Sequence, residues 1–260
     1  MGPSLPPPSA RSLLQSPGWG AQLRVALQEL VTARAPSPPL AAFDFDETCI
    51  FGDISETMLA LIAGDTGADL VEPYLRAVAR DPLSAYLDLV DTLIAGRTEP
   101  QVRQLALRTL DQGRRSGRIV LREAMRELIW AMHRHGWEVW IVTASPEAVV
   151  QPIAERFGVH PHRVLGMRCG KDTQGRYAPG VLEPYTYRQG KLDALHAATG
   201  RDPVFAAGDS RTDEALLRAA RHALLIDRGD ATLRTEAEAG GWWIQPAETL
   251  QPRPPPPPPP

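Results

Sequence analysis

Leu40-Ala41-Ala42-Phe43-Asp44-Phe45-Asp46-Glu47-Thr48 decides how the rest of this 260-residue chain is read. An apolar run that stops on acids, with no polar alternation, reads as a strand buried on both faces of a parallel sheet. Open α/β sheets bind ligands at the carboxyl ends of such strands, so the acids stand where chemistry is expected. If the strand alternation continues, Asp44 and Asp46 point to the same side. Two acids so close repel unless a cation lies between them or one of them holds a proton. The alternative is a pair of strand-end acids that cap a turn.

Working outward, similar apolar stretches recur at 138–143, 163–167, 203–207 and 222–226. Helical patterns separate them at 121–135, 146–157, 188–199 and 211–221, with Pro146 suited to an early helical position. Strand and helix in alternation predict an α/β fold with a doubly wound, mainly parallel sheet. Residues 53–118 break the rhythm: Met58, Leu59, Leu61, Ile62 and then Leu83, Tyr86, Leu87, Val90, Leu93 fall at helical spacing. They predict an inserted helical cap and leave 39–52 and 119–250 as the core. Turn signals at Gly170-Lys171-Asp172-Thr173 and Gln174-Gly175 predict a β-hairpin within 164–182. Leu23, Ala26, Leu27, Leu30 and Val31 predict an amphipathic helix in 21–38, ahead of the prolines at 36, 38 and 39. Residues 1–20 are rich in Pro, Ser and Gly without periodicity, and 251–260 close in a proline run that favours polyproline II. Both ends are expected to be disordered.

Gly208-Asp209-Ser210-Arg211-Thr212-Asp213 repeats the strand-end pattern, with glycine permitting a tight turn and acids at both ends of the loop. Neighbouring strand ends could share one hard cation. Mg²⁺ asks for oxygen ligands and keeps several waters, so Asp44, Asp209 and a backbone carbonyl near Asp46 would suffice. The competing reading makes Asp213 an ordinary acid at a helix start. Thr143 ends a third strand, and the amides of Ala144 and Ser145 lead toward a helix N-terminus, which attracts anions; a plain cap is the other reading. Lys191 opens a helix, where a cation is unfavourable to the dipole. It is either a solvated surface cation or a partner for an anion.

The charge balance, 28 basic against 31 acidic residues, gives no electrostatic footprint for nucleic acid or an anionic membrane. No window approaches the roughly 18 consecutive apolar residues of a membrane span, and a cytoplasmic protein is expected. Cys49 and Cys169 have no Cys or His at metal-ligand spacing and read as reduced structural residues. The oligomeric state is not encoded legibly.

Taken in order, DxDxT at 44–48, Thr143 at a strand end, Lys191 on a helix and GDxxxD at 208–213 resemble the four motifs of the haloacid dehalogenase superfamily. The resemblance covers about residues 40–228. The helical insertion is similar to the cap of its phosphoserine phosphatase branch. Residues 43–54 and the helix before them are similar to the phosphorylcholine phosphatase-like relatives.

The resemblance implies a Mg²⁺-dependent phosphomonoesterase acting on a small metabolite through an aspartyl-phosphate. Asp44 is then the nucleophile, and Asp46 the acid that protonates the leaving alkoxide and later activates water. Thr143, Ala144, Ser145 and Lys191 bind phosphate. Asp44, Asp46 and Asp209 form the metal set, with Asp213 and Thr48 supporting them. Asp53, nine positions after the nucleophile, corresponds to an acid that meets a substrate amine, or is simply a helix N-cap. The implied substrates are phosphoserine, phosphoethanolamine or phosphocholine types, with Tyr74 and Tyr86 the aromatic faces a trimethylammonium would want. Glu47, Thr212 and the Thr143-Ala144-Ser145 run depart from the phosphoserine phosphatase pattern and weigh against phosphoserine itself. The competing readings are a phosphomutase or phosphotransferase of the same superfamily, separated by product analysis, and a non-catalytic interaction protein read through its polyproline tail.

Overall fold

In the computed structural model, which describes residues 13–250, the stretch Leu40–Phe43 is strand β1 and all four of its residues are buried. Two very short strands, β2 (Ile50–Phe51) and β3 (Val120–Leu121), pair antiparallel with each other, and six more strands follow in or around the main sheet. These are β4 (Glu138–Pro146), β5 (Val164–Lys171), β6 (Tyr177–Leu182), β7 (Phe205–Gly208), β8 (His222–Asp227) and β9 (Trp243–Pro246). Together with β1 they form a seven-stranded sheet in the order β6-β5-β4-β1-β7-β8-β9. Every pairing is parallel except β5 with β6. The α/β, doubly wound expectation holds, and β6 supplies the predicted hairpin.

The chain leaves β1, fills one side through β4, β5 and β6, then crosses to β7, β8 and β9 on the other side. The carboxyl end of β1 is therefore a topological switch point, where the loops on its two sides diverge and leave a crevice. Asp44 is the first residue past the strand, and its N–H still donates to the Ala207 carbonyl at 2.9 Å.

Helix α1 (Ala21–Thr32) buries Leu27 and Val31. The cap consists of α2 (Ile54–Thr66), α3 (Val71–Arg80), α4 (Pro82–Ile94) and α5 (Glu99–Ser116), all lying between β2 and β3 in the chain. Their ends are set by local chemistry: Asp53 caps α2, Asp81 followed by Pro82 opens α4, and a Thr98/Gln101 capping box opens α5. The root of the cap depends on Gly52 (φ +88°), where a Cβ would lie 2.0 Å from the Arg118 carbonyl oxygen. The core helices are α6 (Glu123–Arg134), α7 (Glu147–Ala154), α8 (Gln189–Thr199), α9 (Glu214–Ala219) and α10 (Ala231–Ala239).

The hairpin is also fastened to the cap. Gly96 N–H donates to Tyr177 O at 2.8 Å, Tyr177 N–H to Arg97 O at 2.9 Å, and Asp91 accepts the Gly180 N–H at 2.9 Å.

Two expectations are corrected, and further elements are added to those the sequence predicts. β4 runs on to Pro146, so this proline ends a strand, in an extended conformation, and α7 begins one residue later. Strand β9 and helix α10 were not foreseen. The lack of fixed structure expected for 1–20 does not extend over 13–20, because Leu14 and Trp19 are each 2% exposed. Ser16 N–H there donates to Glu127, and Gly20 N–H to Gln245. Residues 1–12 and the proline tail 251–260 lie outside the described residues. Among the described residues, no helix is long and apolar enough to cross a membrane.

Candidate active site

The ends of β1, β4, β7 and β8 meet the cap around a cavity of about 190 Å³. Asp44 lies at its floor, 4% exposed, and Lys191 reaches it from the first turn of α8. Lys191 Nζ donates to Asp44 Oδ1 at 2.6 Å and to Asp213 Oδ1 at 2.5 Å. Burial alone would lower the lysine's pKa; the Asp213 and Asp44 charges outweigh that and raise it, so the ammonium is permanent. The solvated-cation reading of Lys191 is excluded by its 1% exposure.

Asp213 is held within its own loop: Oδ2 accepts the Asp209 and Ser210 N–H groups, both at 3.1 Å. Its approach requires a residue without a side chain at the end of β7, since a Cβ on Gly208 would lie 2.5 Å from Asp213 Cβ. Asp209 accepts from the buried Thr48 hydroxyl at 3.3 Å and from the Arg228 guanidinium at 2.9 Å.

Carboxylate oxygens of Asp44, Asp209 and Asp213 lie within 4.8 Å of one another, all buried. Burial first, then the mutual charges, push Asp44 up to about 6 and raise Asp209 as well. One ammonium and one guanidinium do not neutralise this cluster once the Lys191 pairings are counted, and the donors are all hard oxygens. The set therefore fits a Mg²⁺ ion.

Asp46, expected to join the metal set through a backbone carbonyl, engages its side-chain carboxylate in two hydrogen bonds. Oδ1 accepts the Ile54 N–H and Oδ2 the Ser145 hydroxyl, both at 2.7 Å. β1 stops at Phe43 and the chain turns, with Cys49 N–H bonded back to Phe45 O at 2.8 Å, yet Asp44 and Asp46 both line the cavity. Asp213, expected to hold the metal shell or Lys191 in place, pairs with Lys191 and also stands in the oxygen cluster. Burial and the nearby Asp53 raise the Asp46 pKa, favouring its protonated form.

Thr143 is buried, and its Oγ1 accepts the Ser145 N–H at 3.0 Å, so its own O–H proton is available to a ligand. The Ser145 amide is thereby engaged inside the loop. Asp53 is the expected cap, its Oδ1 accepting the Glu56 N–H at 2.8 Å, and the residue also lines the cavity. Burial and Glu56 push its carboxyl up to about 7. Tyr86 lines the cavity with Tyr187 5.8 Å away from it, ring to ring. Tyr74 points instead to Glu56, its hydroxyl donating at 3.3 Å.

The lining also includes Arg228 and Ser55, polar residues that the sequence motifs do not single out. Arg228 follows the apolar strand β8 at the same sheet edge, a signal that could have found it. Ser55 carries no such signal. Glu47, in a left-handed backbone (φ +59°), lies 3.6 Å from both the buried Arg122 and Arg228 guanidinium groups.

A family model described as haloacid dehalogenase-like hydrolase matches residues 41–218. A protein of Mycobacterium tuberculosis (strain ATCC 25618 / H37Rv) named a probable phosphatase is 37% identical over 123 residues, 45% of this chain and 40% of that protein. The match thus spans less than half of that relative. The fold is similar to that of a conserved functionally unknown protein from Anaerococcus prevotii DSM 20548, with TM-score 0.73, 16% identity, and 90% of this chain and 94% of that one covered. It is also similar to a phosphoserine phosphohydrolase-like protein from Francisella tularensis subsp. tularensis SCHU S4, with TM-score 0.57, 19% identity, and 82% and 97% covered. At these identities the two solved structures speak to fold.

Proposed function

The chain belongs to the haloacid dehalogenase-like hydrolase family, and on that premise we propose a Mg²⁺-dependent phosphatase that acts on small phosphate esters through an aspartyl-phosphate on Asp44. The observation that carries the reading is the buried Lys191 ammonium between Asp44 and Asp213, set at the switch point beside Asp209. Bound at these oxygens, Mg²⁺ would neutralise charge on the transferring phosphoryl group.

Lys191 engages Oδ1 of Asp44, leaving Oδ2 to attack phosphorus. The Lys191 ammonium and the Thr143 hydroxyl orient the phosphoryl oxygens. As the bond from Asp44 to phosphorus forms and the ester P–O bond breaks, Asp46 gives its proton to the departing alkoxide. Its raised pKa suits it to start as the acid. As a carboxylate it then takes a proton from the water that attacks phospho-Asp44, releasing inorganic phosphate and restoring both acids.

The small cavity, with Asp53 and Tyr86 on its cap side, supports an amine-bearing ester of the phosphoserine, phosphoethanolamine or phosphocholine type. A phosphate-release screen over small phosphomonoesters with Mg²⁺ tests the activity, with Asp44→Asn as the inactive control. Asp53→Asn keeps a cap acceptor but removes the charge, so it should erase the preference for amine-bearing over neutral esters. An unchanged ranking removes the amine from the reading.

A further inference from the structure

Ser55 has no part in the chemistry above, yet it is buried at the second position of α2, with its Oγ 2.7 Å from Ser145 Oγ. Ser145 in turn donates to Asp46 Oδ2 at 2.7 Å. A serine hydroxyl has one proton to give. While Asp46 is a carboxylate Ser145 donates to it, so the proton between the two serines then comes from Ser55, and the chain of bonds runs from Ser55 through Ser145 to Asp46. The other Asp46 oxygen takes the Ile54 N–H. Both supports of the Asp46 side chain thus trace to adjacent residues of the cap's first turn, and no others are found among the described residues.

We propose that Ser55 is a positioning residue for the proton transfer: it fixes the rotation of the Ser145 hydroxyl, which fixes the Asp46 carboxyl against the leaving oxygen. The inference rests on the phosphatase reading. A buried hydroxyl pair could equally be a stitch between cap and core, since unpaired buried hydroxyls are costly. The two roles differ in what they do to leaving groups. A stitch supports every substrate alike, whereas a positioned acid matters most where the departing oxygen is a poor leaving group.

The test compares phosphoethanolamine with 4-nitrophenyl phosphate, whose phenolate departs without much help from a proton. The full chain is used with Mg²⁺. Positioned acid–base groups contribute about 10²–10⁴-fold in all, and Ser55→Ala forfeits part of this. We expect kcat to fall about 10-fold on phosphoethanolamine and less than about 2-fold on 4-nitrophenyl phosphate. Ser55→Thr, which keeps a hydroxyl, should restore the ratio. In an Asp46→Asn background, Ser55→Ala should cost nothing further, because both changes act through one group. Equal losses on the two esters, or full additivity with Asp46→Asn, overturns the proposal and leaves the phosphatase reading standing. Absence of Asp44-dependent phosphate release from the wild-type chain overturns both. Thermal unfolding of each variant separates loss of the fold from loss of the ratio.

Discussion

Lys191 Nζ is enclosed between two buried carboxylates, so its removal leaves both without their ammonium partner. Taking away one partner of such a group costs about 3–5 kcal/mol. Lys191→Met is therefore expected to lower the denaturant midpoint of the metal-free protein sharply, and to cut kcat by at least about 10²-fold through the lost stabilisation of the phosphoryl oxygens. A variant with wild-type stability and turnover would refute the assigned contacts. Glu47 gives a second residue-scale prediction. Its left-handed backbone suits glycine better than any other side chain by about 1 kcal/mol, while its contacts with Arg122 and Arg228 are long. Glu47→Gly should thus be more stable than Glu47→Ala by about 1 kcal/mol in urea unfolding; the reverse order would mean that the turn is built differently. At this scale Asp44, Asp209, Asp213 and Lys191 were legible because strand-end acids and a lysine at a helix start contradict ordinary packing. The hydrogen-bond partners of Asp46 were not, because they depend on how the chain turns after Phe43, the last residue of β1, and nothing in Asp44-Phe45-Asp46 marks that turn. Nor was Ser55, a residue type common at helix starts for reasons unrelated to chemistry.

At the level of elements, the long pieces announced themselves and the short ones did not. Strands buried on both faces read as apolar runs, and the cap helices carry helical spacing, so both were visible in the sequence. β2 and β3 have two residues each, too few to show a period, yet they clamp both ends of the cap insertion. Gly52 is the point on which the clamp turns. Gly52→Ala combines a disfavoured φ with a clash against backbone that has no rotamer to escape into. A loss of about 2 kcal/mol or more is expected, with amide exchange quickening first at Ile50, Phe51, Val120 and Leu121. Uniform exchange across the chain would show that the clamp is not a separate unit.

For the molecule as a whole, the cluster of buried acids links stability to pH and to divalent cations. Asp44 and Asp53 are pushed to about 6 and about 7, from an ordinary value of 3.8, and Asp46 and Asp209 are raised too. The folded chain therefore keeps protons that the unfolded chain has released. The stability this confers is complete below the ordinary value and is lost as pH rises through about 6 to 7. Without divalent cation, the melting temperature should decline between about pH 5 and about pH 8, and Mg²⁺ should raise it more at the higher pH, where fewer protons compete. Asp209→Asn should flatten both trends; if its profile matches the wild type, the cluster does not govern the dependence.

The attachment of the hairpin to the cap bears on which esters are accepted. Bonds from Gly96, Arg97 and Asp91 to β6 hold α4 and the start of α5 against one edge of the sheet, while β2 and β3 hold the opposite side of the insertion. A covering layer restrained along both margins behaves less as a jaw than as a fixed gauge. On the phosphatase reading, selection would then fall on the bulk of the alcohol portion, and turnover across a series of alkyl phosphates should show an abrupt cutoff in chain length at the size of the gap beneath Tyr86 and Leu89.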